Sequence, residues 1–167
     1  MSVPHPAALE PDALLAQCEV RARKASGPGG QRRNKVETGV VLVHRPTGTR
    51  AEATERRDRP SNERAALARL RLNLALAVRR EPGTRPSPLW RARAGGGRIR
   101  VSPAHPDFPA LLAEALDVLH AHDLDARAAA GRLGVTASQL VKLVKQEPRA
   151  LAAWNAARSE RGEHRLR

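Results

Sequence analysis

The sequence predicts an α+β fold in three stretches. Residues 1–80 form a small domain with a short mixed sheet and one packed helix, 81–104 a flexible basic linker, and 105–167 an all-helical domain with a helix-turn-helix-like pattern. Three observations predict it. The run Val40-Val41-Leu42-Val43 stands beside turn residues, as a buried strand does. Leu67, Leu70, Leu74, Ala77 and Val78 then recur at helical spacing. Residues 81–104 hold four prolines and four glycines, and beyond them apolar residues return at helical intervals.

The elements follow in order. Residues 1–12 hold three prolines and little pattern, so a loose start leads into a short helical turn over Ala13 to Gln17. From Cys18 to Arg23, Cys18, Val20 and Ala22 alternate with Glu19, Arg21 and Arg23, the period of a half-buried strand. Ser26-Gly27-Pro28-Gly29-Gly30 is neither helix nor regular strand, and Gln31 to Glu37 admits a short helical turn. Thr38 to Arg45 reads as a strand, and Pro46-Thr47-Gly48 turns it antiparallel into Thr49 to Thr54. After the charged loop Glu55 to Pro60, Ser61 is expected to cap the leucine-bearing helix.

In the last stretch Asp107 is expected to cap a helix with Pro109 in its first turn and Phe108, Leu111, Leu112, Ala115, Leu116 and Leu119 on one face. A second helix runs from Ala126 to Leu133 and stops at Gly134. Thr136 with Gln139 is a capping-box pair opening a third through Lys145, and Pro148 opens a fourth with Leu151 and Trp154.

The chain carries 30 Lys and Arg against 17 Asp and Glu, a formal charge of +13, which favours a polyanionic partner. The excess is uneven. Residues 1–80 carry 16 basic and eight acidic groups, 81–100 five and one, and 101–167 nine and eight. Attraction to phosphates therefore belongs to the first half and the linker. Trp90, Trp154 and Phe108 are the whole aromatic set, too few for a base-stacking platform, so contacts to RNA go to phosphates and shape. No apolar run approaches the roughly 18 residues of a membrane span, and residues 1–20 lack the Lys and Arg of a targeting peptide; a cytoplasmic protein is expected. The lone Cys18 rules out an intrachain disulfide and a thiolate zinc site.

The glycine loop carries the most information because it does not stand alone. Lys24-Ala25-Ser26-Gly27-Pro28-Gly29-Gly30-Gln31, then Asn34-Lys35, then His44-Arg45-Pro46-Thr47-Gly48, then Arg57 and Asn62 opening a helix, occur in one order. Over about residues 18–80 this resembles the catalytic GGQ domain of class I peptide chain release factors, and most closely the short, codon-independent ribosome rescue hydrolases built on that domain.

The resemblance implies hydrolysis of the peptidyl-tRNA ester on stalled ribosomes, with ribosomal RNA and peptidyl-tRNA as partners. It implies no cofactor, no metal, no membrane, and a monomer. Its stop-codon-reading domains find no room in 167 residues. Two successive glycines suit such chemistry, since they let the backbone enter a narrow RNA-walled tunnel and turn a main-chain N–H toward a developing oxyanion. In the family that amide is the glutamine's, here Gln31, whose side chain helps restrict the nucleophile to water. A carboxamide has no useful pKa, so Gln31 is no general base. Gly29, Gly30 and Gln31 are thus the expected catalytic residues. Lys24, Arg32, Arg33, Lys35, Arg57, Arg91, Arg93, Lys142 and Lys145 are the expected RNA contacts. Arg32-Arg33 replace the His-Val common in the family, and Arg57-Asp58-Arg59 its Arg-Ser-Gln; added positive charge suits ribosomal RNA.

Other residues read more plainly. Arg57 and Asn62 suit scaffold and helix-cap positions, Lys35 either contacts RNA or is solvated, and His44 packs in its strand. His120 and His122 do not share a helix face, which argues against a metal there. Ala130, Gly134 and Leu140, with Leu133, Val135 and Leu143, fit a helix-turn-helix whose second helix exposes Ser138, Gln139, Lys142 and Lys145. The same residues fit a compact bundle without groove contact. In rescue hydrolases a basic tail enters the empty mRNA channel, and the Arg-bearing linker is the segment suited to that purpose here. The competing reading is a non-hydrolytic ribosome- or nucleic-acid-binding module built from the GGQ scaffold and the helix-turn-helix. The intact Gly-Gly-Gln favours the enzyme.

Overall fold

The computed structural model describes residues 3–24 and 37–167. The helical turn expected after Gln31 lies almost wholly outside them. After a 3-10 turn at Pro6–Ala8 come α1 (Pro11–Ala16), β1 (Cys18–Arg23), β2 (Gly39–His44), β3 (Arg50–Ala53) and α2 (Arg59–Ala77). Then follow α3 (Pro88–Arg93), β4 (Ala94–Gly95), β5 (Arg98–Ile99), α4 (Phe108–Ala121), α5 (Ala126–Leu133), α6 (Ala137–Lys145) and α7 (Pro148–Glu160). The chain is α+β and divides into two compact units, Pro6–Ala77 and Val78–Arg167, the second taking in His5.

In the first unit the sheet order is β1-β2-β3 and both pairings are antiparallel, so the expected mixed sheet is purely antiparallel. A short turn joins β2 to β3, with Gly48 at φ +70, and leaves no crossover for a parallel pair. Val40 faces Ala53 and Leu42 faces Ala51. These four are buried together with Ala66, Leu67, Leu70 and Leu74 of α2, which packs on β2 and β3. Each buried leucine contributes about 2 kcal/mol. The apolar stripe ends earlier than expected, because Ala77 is exposed and Val78 lies past the helix end.

β1 has the expected bounds but not the expected alternation. Only Cys18 is buried, and Val20 is 40% exposed, because β1 is the edge strand and α2 packs over the other two. The α2 cap also differs. Asp58 Oδ1 accepts from the Ser61 N–H at 2.8 Å, which makes Asp58 the capping residue and puts Pro60 in the first turn.

The second unit overturns the flexible linker. Within 81–104, Ser87 caps α3 by accepting from Trp90 N–H at 3.0 Å, while Glu114 of α4 takes the Ser87 backbone N–H at 2.7 Å. Trp90 is fully buried and its indole N–H donates to the Leu133 carbonyl at 2.9 Å. A buried tryptophan removes roughly 150–250 Å² from water, enough to hold a proline- and glycine-rich stretch in place. Gly96 (φ +56) and Gly97 (φ +73) make the two-residue turn between β4 and β5, which demands positive φ at both positions.

α4 to α7 follow the sequence closely. Phe108, Leu111, Leu112, Ala115, Leu116 and Leu119 are all buried. Asp107 stands at the N-cap of α4 but makes no capping bond; its carboxylate accepts from Arg93 Nη2 at 2.6 Å and Nε at 3.1 Å. Gly134 (φ +69) closes α5, and Thr136 Oγ1 accepts from Gln139 N–H at 3.3 Å to open α6. Asp117, buried on α4, accepts from Arg79 Nη1 at 2.9 Å and the Arg80 N–H at 3.0 Å, fastening the start of this unit. Asn155 of α7 pairs with both backbone groups of Leu166, at 3.0 and 2.7 Å, and draws the last residues back.

Candidate functional site

The candidate site is the end of the first unit where β1 stops and β2 begins. Arg23 and Gly39 are paired residues of the β1–β2 ladder, so residues 24–38 leave and re-enter the sheet at neighbouring points. Gly39 is there for space. A Cβ on it would lie 2.5 Å from the Arg23 carbonyl oxygen and 2.8 Å from Thr54 Cγ2, distances no side chain tolerates. The same spacing sets the loop 54–58 against the returning strand.

Asn62 ties that loop down. Fully buried at the start of α2, it donates from Nδ2 to the carbonyls of Thr38 (2.8 Å) and Arg56 (3.1 Å) and accepts at Oδ1 from the Arg56 N–H (2.9 Å). Three backbone groups next to the stem thus have partners in one side chain, and each is costly to bury unpaired.

Charge gathers at the same end. Most arginines of this unit have acceptors: Arg21 has Glu19, Arg23 and Arg50 have Glu52, and Arg69 has Glu55. Among the described residues, Lys24, Arg56, Arg57 and Arg59 are exposed at the stem with no side-chain partner. Asp58 stands among them, but the Ser61 N–H bonds its carboxylate and holds its pKa down. The stem therefore presents a basic rim suited to phosphate oxygens.

The expected site residues separate clearly. Gly29, Gly30, Gln31, Arg32, Arg33 and Lys35 lie outside the described residues. Lys24 follows the end of β1 and Arg57 lies in the loop after β3, at the same end of the sheet. Arg91, Arg93, Lys142 and Lys145 belong to the second unit. Arg91 is exposed on α3, and Lys142 and Lys145 are exposed on α6. Arg93 is instead held by Asp107 and by His105, whose Nε2 is 3.0 Å from Nη2, so its guanidinium fastens α3 to the start of α4. Arg56 is the residue that sequence reasoning passes over, and Arg59 is noted there as added charge without being named an RNA contact; their signal is the run of arginines flanking Asp58.

His44 is a buried strand residue with both ring nitrogens engaged, by Thr47 Oγ1 at 2.7 Å and Gln17 Oε1 at 3.0 Å, and is no free acid or base. Among the described residues no group of three His, Cys, Asp or Glu could hold a metal ion, and no helix is long and apolar enough to cross a membrane.

Comparison with known proteins gives this stem its context. Over 66 residues the chain is 38% identical to the chloroplastic peptide chain release factor PrfB1 of Arabidopsis thaliana, covering 40% of this chain and 14% of that one. Over 90 residues it is 34% identical to peptide chain release factor 1 of Leptothrix cholodnii and 36% identical to that of Delftia acidovorans, in each case 52% of this chain and 25% of the relative. The chain thus spans a quarter or less of these relatives' length. No solved structure matches it. The RF-1 domain model matches residues 14–101, and the chain belongs to the RF-1 domain family.

Proposed function

We propose that this chain hydrolyses the ester bond of peptidyl-tRNA on stalled ribosomes without reading a codon. The observation that carries the reading is the stem. In sequence Gly29-Gly30-Gln31 falls between two strands paired in register at Arg23 and Gly39, and the described end of that stem carries a rim of unpaired cations. Membership of the RF-1 domain family supports release chemistry, and the four helices joined directly behind that domain support a reading without codon recognition.

In this reading water attacks the ester carbonyl carbon, the bond to the tRNA ribose oxygen breaks, and the products are the free peptide acid and the tRNA hydroxyl. The chain's part is to position and to stabilise charge. The Gln31 backbone N–H donates to the oxyanion, the two glycines leave room for that approach, and Lys24, Arg32, Arg33, Lys35 and Arg57 hold RNA phosphates. No side chain of the chain needs to take a proton.

The test is release of labelled peptide from ribosomes stalled on truncated mRNA, set against ribosomes halted at a stop codon. Release from the first set, equal with or without a stop codon, and its loss in Gly29→Ala and Gly30→Ala with ribosome binding retained, is the expected result. Parent-rate release by the Ala variants overturns the catalytic assignment. Binding without release by the parent chain marks a non-hydrolytic module.

A further inference from the structure

The β4–β5 hairpin and α6 form one surface. The Gly97 carbonyl accepts from the Thr136 N–H at 2.9 Å, and Gly97 bridges to Val135, so the hairpin turn sits at the start of α6. Ile99 is buried beneath while Arg98 and Arg100 remain exposed. On α6, Ser138, Lys142 and Lys145 are exposed at i, i+4 and i+7, one stripe about 10 Å long. Neither 94–100 nor 137–145 contains an acidic residue, and among the described residues Arg98, Arg100, Lys142 and Lys145 have no side-chain partner. Four exposed cations without acidic neighbours thus stand on the hairpin and on the helix it abuts.

We propose that this face binds double-stranded RNA through its backbone. Trp90, Phe108 and Trp154 are all buried, so no indole or phenyl ring is offered as a stacking platform for a single strand. The stripe pairs its two cations with the short neutral side chain of Ser138. That composition matches a wide, shallow A-form minor groove, where 2′-hydroxyls and phosphates are on offer. The preference for RNA over DNA rests also on the ribosomal reading above.

The experiment uses the full chain and two labelled duplexes of the same sequence, one RNA and one DNA, each of about 16 base pairs, titrated over a range of salt. R98A/K142A/K145A, all exposed positions, should weaken RNA-duplex binding by about tenfold or more at moderate salt. It should also make the log–log salt slope shallower by about two to three. Ser138→Ala with Gln139→Ala should narrow the preference for RNA over DNA. Gly30→Ala should leave duplex binding at the parent level while abolishing release, so loss of the catalytic reading and loss of this one show in different assays. An unchanged slope in the triple variant overturns the proposal. So does a parent chain with no affinity for the RNA duplex, or one that binds the DNA duplex as tightly.

Discussion

The Asn62 carboxamide donates to the Thr38 carbonyl at 2.8 Å across 24 positions of sequence, and that bond holds the return side of the stem to the start of α2. Asn62→Ala removes this donor pair and the acceptor for Arg56 N–H, leaving three backbone groups without partners. We expect a loss of about 2 kcal/mol, read as a lower denaturant midpoint with an unchanged slope. Asn62→Asp, which keeps the acceptor but turns a buried carboxylate oxygen toward the Thr38 and Arg56 carbonyls, should cost at least as much as Ala.

Trp90 tests whether residues 81–104 belong to a core. Trp90→Ala should cost about 4 kcal/mol, and Trp90→Phe about 1 kcal/mol for the indole bond to Leu133. Backbone amides of α3 should exchange slowly in the parent and quickly in the Ala variant. Rapid exchange in the parent would restore the linker reading.

Acid should loosen the joint between β3 and α2. Hydrogen bonds from Arg69 hold the Glu55 carboxyl at about 2 against an ordinary 4.5. A depressed carboxylate lends its stabilisation fully above the unfolded value and loses it as pH falls from 4.5 toward about 2. Both side chains are about half exposed, so the effect is modest and shrinks with added salt. Glu55→Gln should flatten the unfolding midpoint over that pH window, and an identical acid limb in both proteins would remove Glu55 from the account.

The basic rim predicts a salt effect of its own. Replacing Arg56, Arg57 and Arg59 with Gln should make ribosome affinity less salt-dependent, by up to about one unit of slope for each phosphate the rim no longer neutralises. Thermal stability should stay near the parent's, since none of the three has a side-chain partner among the described residues.

Local pattern makes much of this legible. α5 and α6 are readable to the residue because a glycine stop and a Thr cap act within a few positions of one another, while β1 has the expected bounds without the alternation that suggested them. What pattern misses depends on distant partners. Proline and glycine around Trp90 read as a linker, because nothing local announces a carbonyl 43 residues away that takes its indole N–H. Asp107 has the right position for a cap, yet Arg93 takes its carboxylate. At the site, the Gly-Gly-Gln loop is visible as a string, while the tie from Asn62 to Thr38 and the placing of Arg56 and Arg59 at the same end of the sheet as Lys24 need the fold.

The pairing of Gly39 with Arg23 leaves the sheet indifferent to what it carries. Sliding β2 by one residue would force Val40 into the gap where even a methyl meets the Arg23 oxygen at 2.5 Å, and would turn the apolar set of the strand to its wrong face. The register of the sheet is thus fixed by the residues at its mouth, Arg23 and Gly39, and by the apolar set of β2.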